Sequence, residues 1–158
     1  MGLSDRTRRW LLAALAAYVA LLALALLAPT SGTQSGMASW VRDIGVTVGF
    51  DPERATQARA EFLCNALILA PVSALGSVLW PRTTWRDWTA WTFGAAVLVE
   101  LAQGLLLPAR TASNVDIVAN TLGGLLGALT VAVSRRRTAA GTPPSHQDEP
   151  RPVRGRRS

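Results

Sequence analysis

The sequence predicts an all-α membrane protein with four transmembrane helices, and three observations support this fold class. Hydrophobic residues make up 49% of the 158 residues and charged residues only 16%, against about 25% charged residues in a typical soluble domain. Four apolar runs of nineteen or twenty residues divide the chain, and a helix needs about 20 such residues to cross a bilayer. All the arginines lie outside these runs, and there is no lysine.

The distribution of the arginines predicts that both termini lie in the cytoplasm. If spans alternate direction, eight arginines lie on the side of the termini: Arg6, Arg8, Arg9, Arg82, Arg86, Arg135, Arg136 and Arg137. Four lie on the other side: Arg42, Arg54, Arg59 and Arg110. Membrane proteins keep their arginine-rich segments inside, and indole rings favour the headgroup region. Four tryptophans fall at the predicted inner boundary: Trp10, Trp80, Trp85 and Trp88.

The first span is predicted over Trp10–Ala28, and Pro29 follows it. A cleavable signal peptide is the alternative, and the segment from Thr7 to Leu12, which contains Arg8 and Arg9, looks like a twin-arginine export signal. The apolar region of a signal peptide usually has only about 7 to 15 residues. The length of this run therefore favours an uncleaved anchor.

The connection over residues 29–61 is predicted to contain a short amphipathic helix. Trp40, Ile44 and Val48 recur every four residues, as on one face of a helix that lies on the outer leaflet. A strand over Val46–Phe50 is one alternative. An ordered loop packed over the bundle is another.

The second span is predicted over Phe62–Trp80 and ends before Pro81. Pro71 lies within it and is expected to kink the helix. Cys64 is the only cysteine, which excludes an intramolecular disulfide and a cysteine-based zinc site. Its expected role is that of a small buried hydrophobic residue.

The third and fourth spans are predicted over Trp88–Leu107 and Val115–Val133. Residues 1–137 then form a single membrane domain. The remaining segment, 138–158, contains four prolines and four arginines and is predicted to be a disordered tail. Because the net charge of +6 is concentrated at the ends of the chain, we expect the lipid bilayer, and no nucleic acid, as its partner.

Polar residues in or beside the spans predict a site at the outer side of the bundle. A carboxylate at membrane depth costs about 2.5–3.5 kcal/mol on insertion scales, so a partner must compensate for it. Glu100 lies seven residues before Leu107, about 10 Å deep at 1.5 Å per residue. Alternating spans bring these residues to one side: Glu61, Asn65, Glu100, Gln103, Arg110, Ser113, Asp116 and Asn120.

Each of these residues also has a purely structural interpretation. Ser113 and Asp116 fit a capping box at the start of the fourth span, and Arg110 fits a salt bridge to a carboxylate of the site. Asn65 and Asn120 fit hydrogen bonds between helices. Close helix packing is the expected role of three glycines on the fourth span: Gly123, Gly124 and Gly127.

The inventory of reactive side chains gives no catalytic set, metal site or cofactor site. The only histidine, His146, lies in the predicted tail, so no Ser/His/Asp or Cys/His arrangement is expected. Glu100 with Asp116 is a candidate acid–base pair. Polar residues are scarce over 90–99 and 122–133, which argues against a channel. What remains is a polar pocket in the outer leaflet.

The last two spans carry an ordered motif of polar residues and glycines. It reads Glu100-Leu-Ala-Gln103, then Arg110, then Ser113-Asn-Val-Asp116-Ile-Val-Ala-Asn120-Thr-Leu-Gly123-Gly-Leu-Leu-Gly127. This motif resembles that of the VanZ-like family of small bacterial membrane proteins, and the likeness covers about residues 61–133. One departure is that family members often have Lys or His before the asparagine of the second span, where this chain has Arg59, Glu61 and Cys64.

The resemblance implies a multi-pass protein of the bacterial plasma membrane that acts in the cell envelope. The family is named after an accessory protein of teicoplanin resistance, and teicoplanin is a lipid-bearing glycopeptide. We therefore expect this chain to bind the polar head of a lipid-linked cell-wall precursor or a lipoglycopeptide, with Arg110 paired to a ligand phosphate or carboxylate. The other expected ligand-binding residues are Asn65, Glu100, Gln103, Ser113, Asp116 and Asn120. There are two alternatives. One is an intramembrane enzyme that acts on a lipid-linked substrate through Glu100 and Asp116, and the other is a structural partner of a cell-envelope membrane complex.

Overall fold

The structure, a computed structural model, describes residues 3–26, 32–106 and 113–140, and its regular elements there are all helices. They are α1 (Asp5–Leu26), α2 (Gly32–Thr47), α3 (Gln57–Leu79), α4 (Trp85–Leu106) and α5 (Asn114–Ala140). All of them except α2 are long and apolar enough to cross a membrane. The prediction of an all-α fold with four membrane-spanning helices is therefore confirmed at this level.

Polar caps explain why α3 and α4 begin before their apolar runs. The Thr56 hydroxyl accepts a hydrogen bond from the Arg59 N–H (3.4 Å), so α3 begins five residues before Phe62. α4 begins with a capping box, in which Asp87 Oδ2 accepts from the Thr84 N–H (2.8 Å) and Thr84 Oγ1 accepts from the Asp87 N–H (3.3 Å). The apolar run determines which residues can cross the membrane, whereas the cap residue determines where the helix begins.

The last helix continues beyond the arginines that follow the fourth apolar run. α5 extends to Ala140, so residues 138–140, which the sequence assigned to the tail, are helical. Alanine and arginine are good helix formers, and cations near a helix C-terminus interact favourably with its dipole. The rest of the predicted tail, 141–158, lies outside the described residues.

The long connection contains the predicted helix, α2, which ends in a Schellman motif. Gly49 has φ of +100°, the Phe50 N–H donates to the Gly45 carbonyl (3.0 Å), and the Gly49 N–H donates to the Val46 carbonyl (3.1 Å). These bonds close a helix terminus. The helix is therefore confirmed, and the alternative strand over Val46–Phe50 is wrong.

α3 and α5 run side by side in the same direction. Gly123 of α5 lies against the backbone of Ala66 of α3. The Arg135 guanidinium, three turns further along, donates to the Ser77 carbonyl of α3 (2.6 Å). The two pairs have nearly the same sequence separation, as parallel neighbouring helices require.

α4 runs antiparallel to both of these helices. Its early residue Trp88 lies against Gly76, late in α3, and its late residue Glu100 bonds to Ser113, at the start of α5. Trp88 is buried and its indole N–H donates to Thr83 Oγ1 (2.8 Å), so it packs inside the bundle. The prediction that Trp88 faces the lipid headgroups is therefore wrong. We call the end at which α3 and α5 begin the upper end, and the opposite end the lower end.

α1 is the most exposed helix of the described bundle. It packs on α3, where the Tyr18 hydroxyl donates to the Ile68 carbonyl (2.9 Å), three residues before Pro71. α3 continues through this proline. Leu15 is buried, but most of the surface of α1 is exposed, which is the state expected of a helix that lipid covers. Its retention as an uncleaved anchor stays a prediction.

Candidate functional site

Two short hydrogen bonds join three helices at the upper end. Asn65 Nδ2 of α3 donates to Asp116 Oδ1 of α5 (2.7 Å). The Ser113 N–H, at the start of α5, donates to Glu100 Oε2 of α4 (2.7 Å). We call these four residues the upper polar cluster, and all four belong to the site that the sequence predicted.

The start of α5 has the sequence of a capping box but a different bonding pattern. The Ser113 hydroxyl accepts from the Asp116 N–H (3.4 Å), as an N-cap does. In the capping box of α4, the acid also accepts from the backbone N–H of its cap residue. At α5 the Ser113 N–H goes to Glu100 instead, and Asp116 accepts from Asn65. Capping therefore explains Ser113 but does not explain why both acids meet neighbouring helices.

Glu100 is a buried carboxylate with a specific source of stabilisation. It is only 5% exposed and lies six residues before the end of α4, about 9 Å along the helix at 1.5 Å per residue. The bond from the Ser113 N–H places the carboxylate at the N-terminus of α5, where the helix dipole favours negative charge. This arrangement offsets part of the cost of a carboxylate at membrane depth.

Two further predicted residues, Gln103 and Asn120, are buried beside the cluster. Gln103 is 6% exposed and lies one turn after Glu100, while Asn120 is 7% exposed and lies one turn after Asp116. Within the described part of the chain, the Asn120 amide makes no hydrogen bond. A buried amide without a partner costs about 1–3 kcal/mol, so a ligand or water that bonded to Asn120 would recover that energy.

Two predicted residues are not part of this geometry. Glu61 is exposed and accepts from Gln57 Nε2, four residues earlier on the same helix (3.1 Å), so the structure does not join it to the cluster. Arg110 lies outside the described residues, in the 107–112 connection. Its expected pairing with a ligand, and the alternative salt bridge to a carboxylate, both stay predictions.

The glycines of α5 lie where its backbone touches α3. A Cβ atom at Gly123 would overlap the Ala66 carbonyl oxygen and lie 2.7 Å from the carbonyl carbon. At Gly127, one turn lower, a Cβ would overlap the Ala70 carbonyl oxygen in the same way. Only glycine fits such a close backbone approach, which small residues commonly allow between membrane helices.

A line of buried hydroxyl residues, which was not predicted from the sequence, continues below the site. Gly124 lies against Thr92 of α4, whose hydroxyl donates to its own helix at the Trp88 carbonyl (2.8 Å). Ser73 and Ser77 of α3 are also buried. The signal was present, because Ala66, Ala70, Ser73 and Ser77 follow the i, i+4, i+7, i+11 spacing of one helix face.

The arrangement offers hydrogen-bond donors and acceptors at one end of the bundle. The Glu100 and Asp116 carboxylates accept, while the side-chain amides of Asn65, Gln103 and Asn120 can both donate and accept. Among residues 3–26, 32–106 and 113–140, no three His, Cys, Asp or Glu side chains come together as a metal site would require. The chemistry of this donor set suits the hydroxyl, amide and ammonium groups of a polar head.

Comparison with known proteins assigns the chain to a family. A family model described as VanZ/LLP1 matches residues 10–135, about four fifths of the chain. The match includes the upper polar cluster and the three glycines. No curated protein and no solved structure matches the chain significantly. On the extent of the family match, the chain belongs to the VanZ/LLP1 family.

Proposed function

We propose that this chain is a multi-pass protein of the bacterial plasma membrane whose upper end binds the polar head of an amphiphile. The observation that carries the proposal is the pair of 2.7 Å hydrogen bonds that gather polar groups of α3, α4 and α5 at one depth. The excess of arginines near the lower end supports an orientation with both termini in the cytoplasm. In that orientation the cluster lies at the level of the outer leaflet.

The proposed ligand class is a lipid-linked cell-wall precursor or a lipoglycopeptide such as teicoplanin. Glu100 lies about 9 Å from the end of α4 at 1.5 Å per residue, a depth that a headgroup reaches while its lipid chain stays in the bilayer. The buried Asn120 amide supplies an additional donor and acceptor. Such groups recognise glycan hydroxyls and peptide amides, which lipid-linked precursors and glycopeptides carry.

Arg110 is proposed to hold an anionic group of the ligand. It lies in the middle of the six-residue connection 107–112, between Leu106 at the end of α4 and Ser113. The bond between Ser113 and Glu100 holds the start of α5 beside α4, so the residue that follows the connection belongs to the upper polar cluster. A guanidinium there can pair with a phosphate or a carboxylate through two parallel hydrogen bonds.

The test compares teicoplanin and vancomycin susceptibility of one host that carries the wild type or an Arg110→Ala/Asp116→Asn variant. The matched control, Arg54→Ala/Glu61→Gln, also removes one cation and one carboxylate, but at exposed positions. The wild type and the control should protect selectively against teicoplanin at equal membrane levels, and the site variant should not. Binding of teicoplanin to the purified proteins in lipid nanodiscs should follow the same order.

Two results would contradict the proposed ligand or the proposed binding site. If the wild type neither alters susceptibility nor binds teicoplanin in nanodiscs, teicoplanin is not the ligand. If the Arg110→Ala/Asp116→Asn variant is folded and binds as well as the wild type, the upper polar cluster is not the binding site. Thermal unfolding of each purified variant shows that it is folded.

The two alternative functions predict different variants to matter. An intramembrane enzyme acting through Glu100 and Asp116 predicts that Glu100→Gln retains binding but loses turnover. A structural partner predicts that substitutions of Gly123 or Gly127 matter more than any polar change. Because both glycines lie inside the contact between α3 and α5, they are not free to form a surface for another protein, and this favours the binding proposal.

A further inference from the structure

The exposed side of α2 carries an apolar stripe. Met37 is 49%, Trp40 65% and Ile44 41% exposed. Their spacing of three and four residues puts them on one face of the helix. No other helix of the described bundle covers this face, and a soluble protein rarely leaves such a stripe in water.

The adjacent side of α2 packs on the upper end of α3. Ala38 is fully buried and forms a cluster with Ala60 and Cys64 of α3, against which Val41 also packs. The amide of Gln57 donates to a carbonyl of α2 (3.2 Å). α2 therefore contacts α3 through a different face, and the exposed stripe takes no part in that contact.

The third side of α2 carries the charged residues of the helix, with Val46 between them. Arg42 and Asp43 form an exposed salt bridge (3.0 Å). At 100° per residue, Arg42 lies opposite the stripe Met37, Trp40 and Ile44, and Asp43 lies about a quarter turn from the middle of the stripe. α2 thus has one apolar face packed on α3, one exposed apolar face and one charged face. This pattern is typical of a helix that lies in the plane of a membrane surface.

The upper half of α3, on which α2 packs, also exposes apolar side chains. Leu63 and Leu67, on the upper half of α3, are 52% and 65% exposed and belong to a helix long and apolar enough to span the membrane. α2 has 16 residues, about 24 Å at 1.5 Å per residue, and is not among the spanning helices. Its exposed tryptophan suits the headgroup region.

We propose that α2 is an interfacial helix whose stripe, Met37, Trp40 and Ile44, is immersed among lipid headgroups and upper acyl segments at the upper end. The stripe extends the lipid-facing surface of α3 around the side of the bundle. Through Ala38 and Cys64, the immersed helix is fixed against α3 next to Asn65. This inference concerns the membrane partner of α2 and holds whatever the polar cluster binds.

The experiment measures which solvent reaches each side of α2 in the full chain. Cys64→Ala gives a cysteine-free background, into which single cysteines are introduced and spin-labelled in lipid vesicles. Collisions with oxygen, which concentrates in lipid, are compared with collisions with a water-soluble nickel chelate. The test positions are 40 and 44, the matched positions on the polar side are 42 and 43, and Leu67 and Glu53 give the lipid and water references.

Labels at 40 and 44 should collide several-fold more with oxygen relative to nickel than labels at 42 and 43. Equal ratios on both sides, close to that of the Glu53 reference, would overturn the proposal. Immobilised labels at 40 and 44 that neither reagent reaches would also overturn it, because a protein surface would then cover the stripe.

A second measurement needs no cysteine substitution. Lipids brominated near the headgroup should quench a smaller share of the tryptophan fluorescence in Trp40→Leu than in the wild type. An unchanged quenched share would show that Trp40 does not reach the lipid.

Discussion

The bond between Asn65 and Asp116 gives a direct test of the upper polar cluster, because it joins α3 to α5 through side chains alone. The perturbation is a double-mutant cycle of Asn65→Ala and Asp116→Ala. Each single variant removes the bond and leaves the remaining partner half-buried. The coupling free energy, which is the departure from additivity, isolates the contribution of the pair.

The geometry sets the expected magnitude. The distance of 2.7 Å between Nδ2 and Oδ1 is that of a bond with a charged acceptor. Such bonds are worth about 1.5–3 kcal/mol in soluble proteins. Side-chain hydrogen bonds between membrane helices average about 0.6 kcal/mol and reach about 1.7 kcal/mol. For a short, half-buried bond between an amide and a carboxylate, the upper part of the membrane range applies, and we expect a coupling free energy of about 1–1.7 kcal/mol.

The assay is reversible unfolding in mixed micelles, followed by circular dichroism as the fraction of denaturing detergent rises. A control cycle combines Asn65→Ala with Asp87→Ala. The second substitution breaks the capping box at the lower end and should lower the free energy of unfolding on its own. Because the two sites are at opposite ends, their effects should add within about 0.3–0.5 kcal/mol. If the Asn65/Asp116 cycle were as additive as this control, the side chains would not interact and the reasoning would be refuted.

The remaining predictions concern packing and use the same titration. Gly123→Ala should lower the free energy of unfolding by about 1–3 kcal/mol, because its methyl group meets the Ala66 backbone, which no rotamer change can move. Gly94→Ala, at a helical glycine with open space around it, should cost nothing, and equal effects would contradict the assigned contact. Arg135→Ala should cost about 1.5 kcal/mol by removing the bond to α3. Arg136→Ala removes the same charge at an exposed neighbour, and an equal loss there would show that only charge matters.

Sequence periodicity and length were enough to predict the spans and the end of the bundle at which polar residues gather. Alternation of the spans put Asn65, Glu100 and Asp116 on one side, and the hydrogen bonds agree with that placement. The pairing of the residues was not predictable. The pattern Ser113-x-x-Asp116 matches a capping box equally well, and only the position of α4 decides that Glu100 takes the Ser113 N–H.

The buried hydroxyls of the lower half escaped prediction for a different reason. The Thr92 hydroxyl makes its hydrogen bond within its own helix, so this residue does not stand out as polar in an apolar run. Its burial depends on the missing side chain of Gly124 on another helix. Hydropathy along one helix therefore carries little information about which small residues form the contact, whereas a charged residue in the same run stands out.

The backbone contact at Gly123 and the bond between Asn65 and Asp116 depend on each other. Gly123 lies against Ala66, the residue directly after Asn65, and Asp116 lies two turns above Gly123 on α5. Asparagine and aspartate are short side chains, so they meet only if the two backbones stay close. Gly123→Ala should separate the helices at this point and reduce the coupling between Asn65 and Asp116, whereas Gly94→Ala should leave it unchanged. A coupling that survives Gly123→Ala would mean that the cluster positions α5 by itself, and that the close backbone contact follows from the polar bonds.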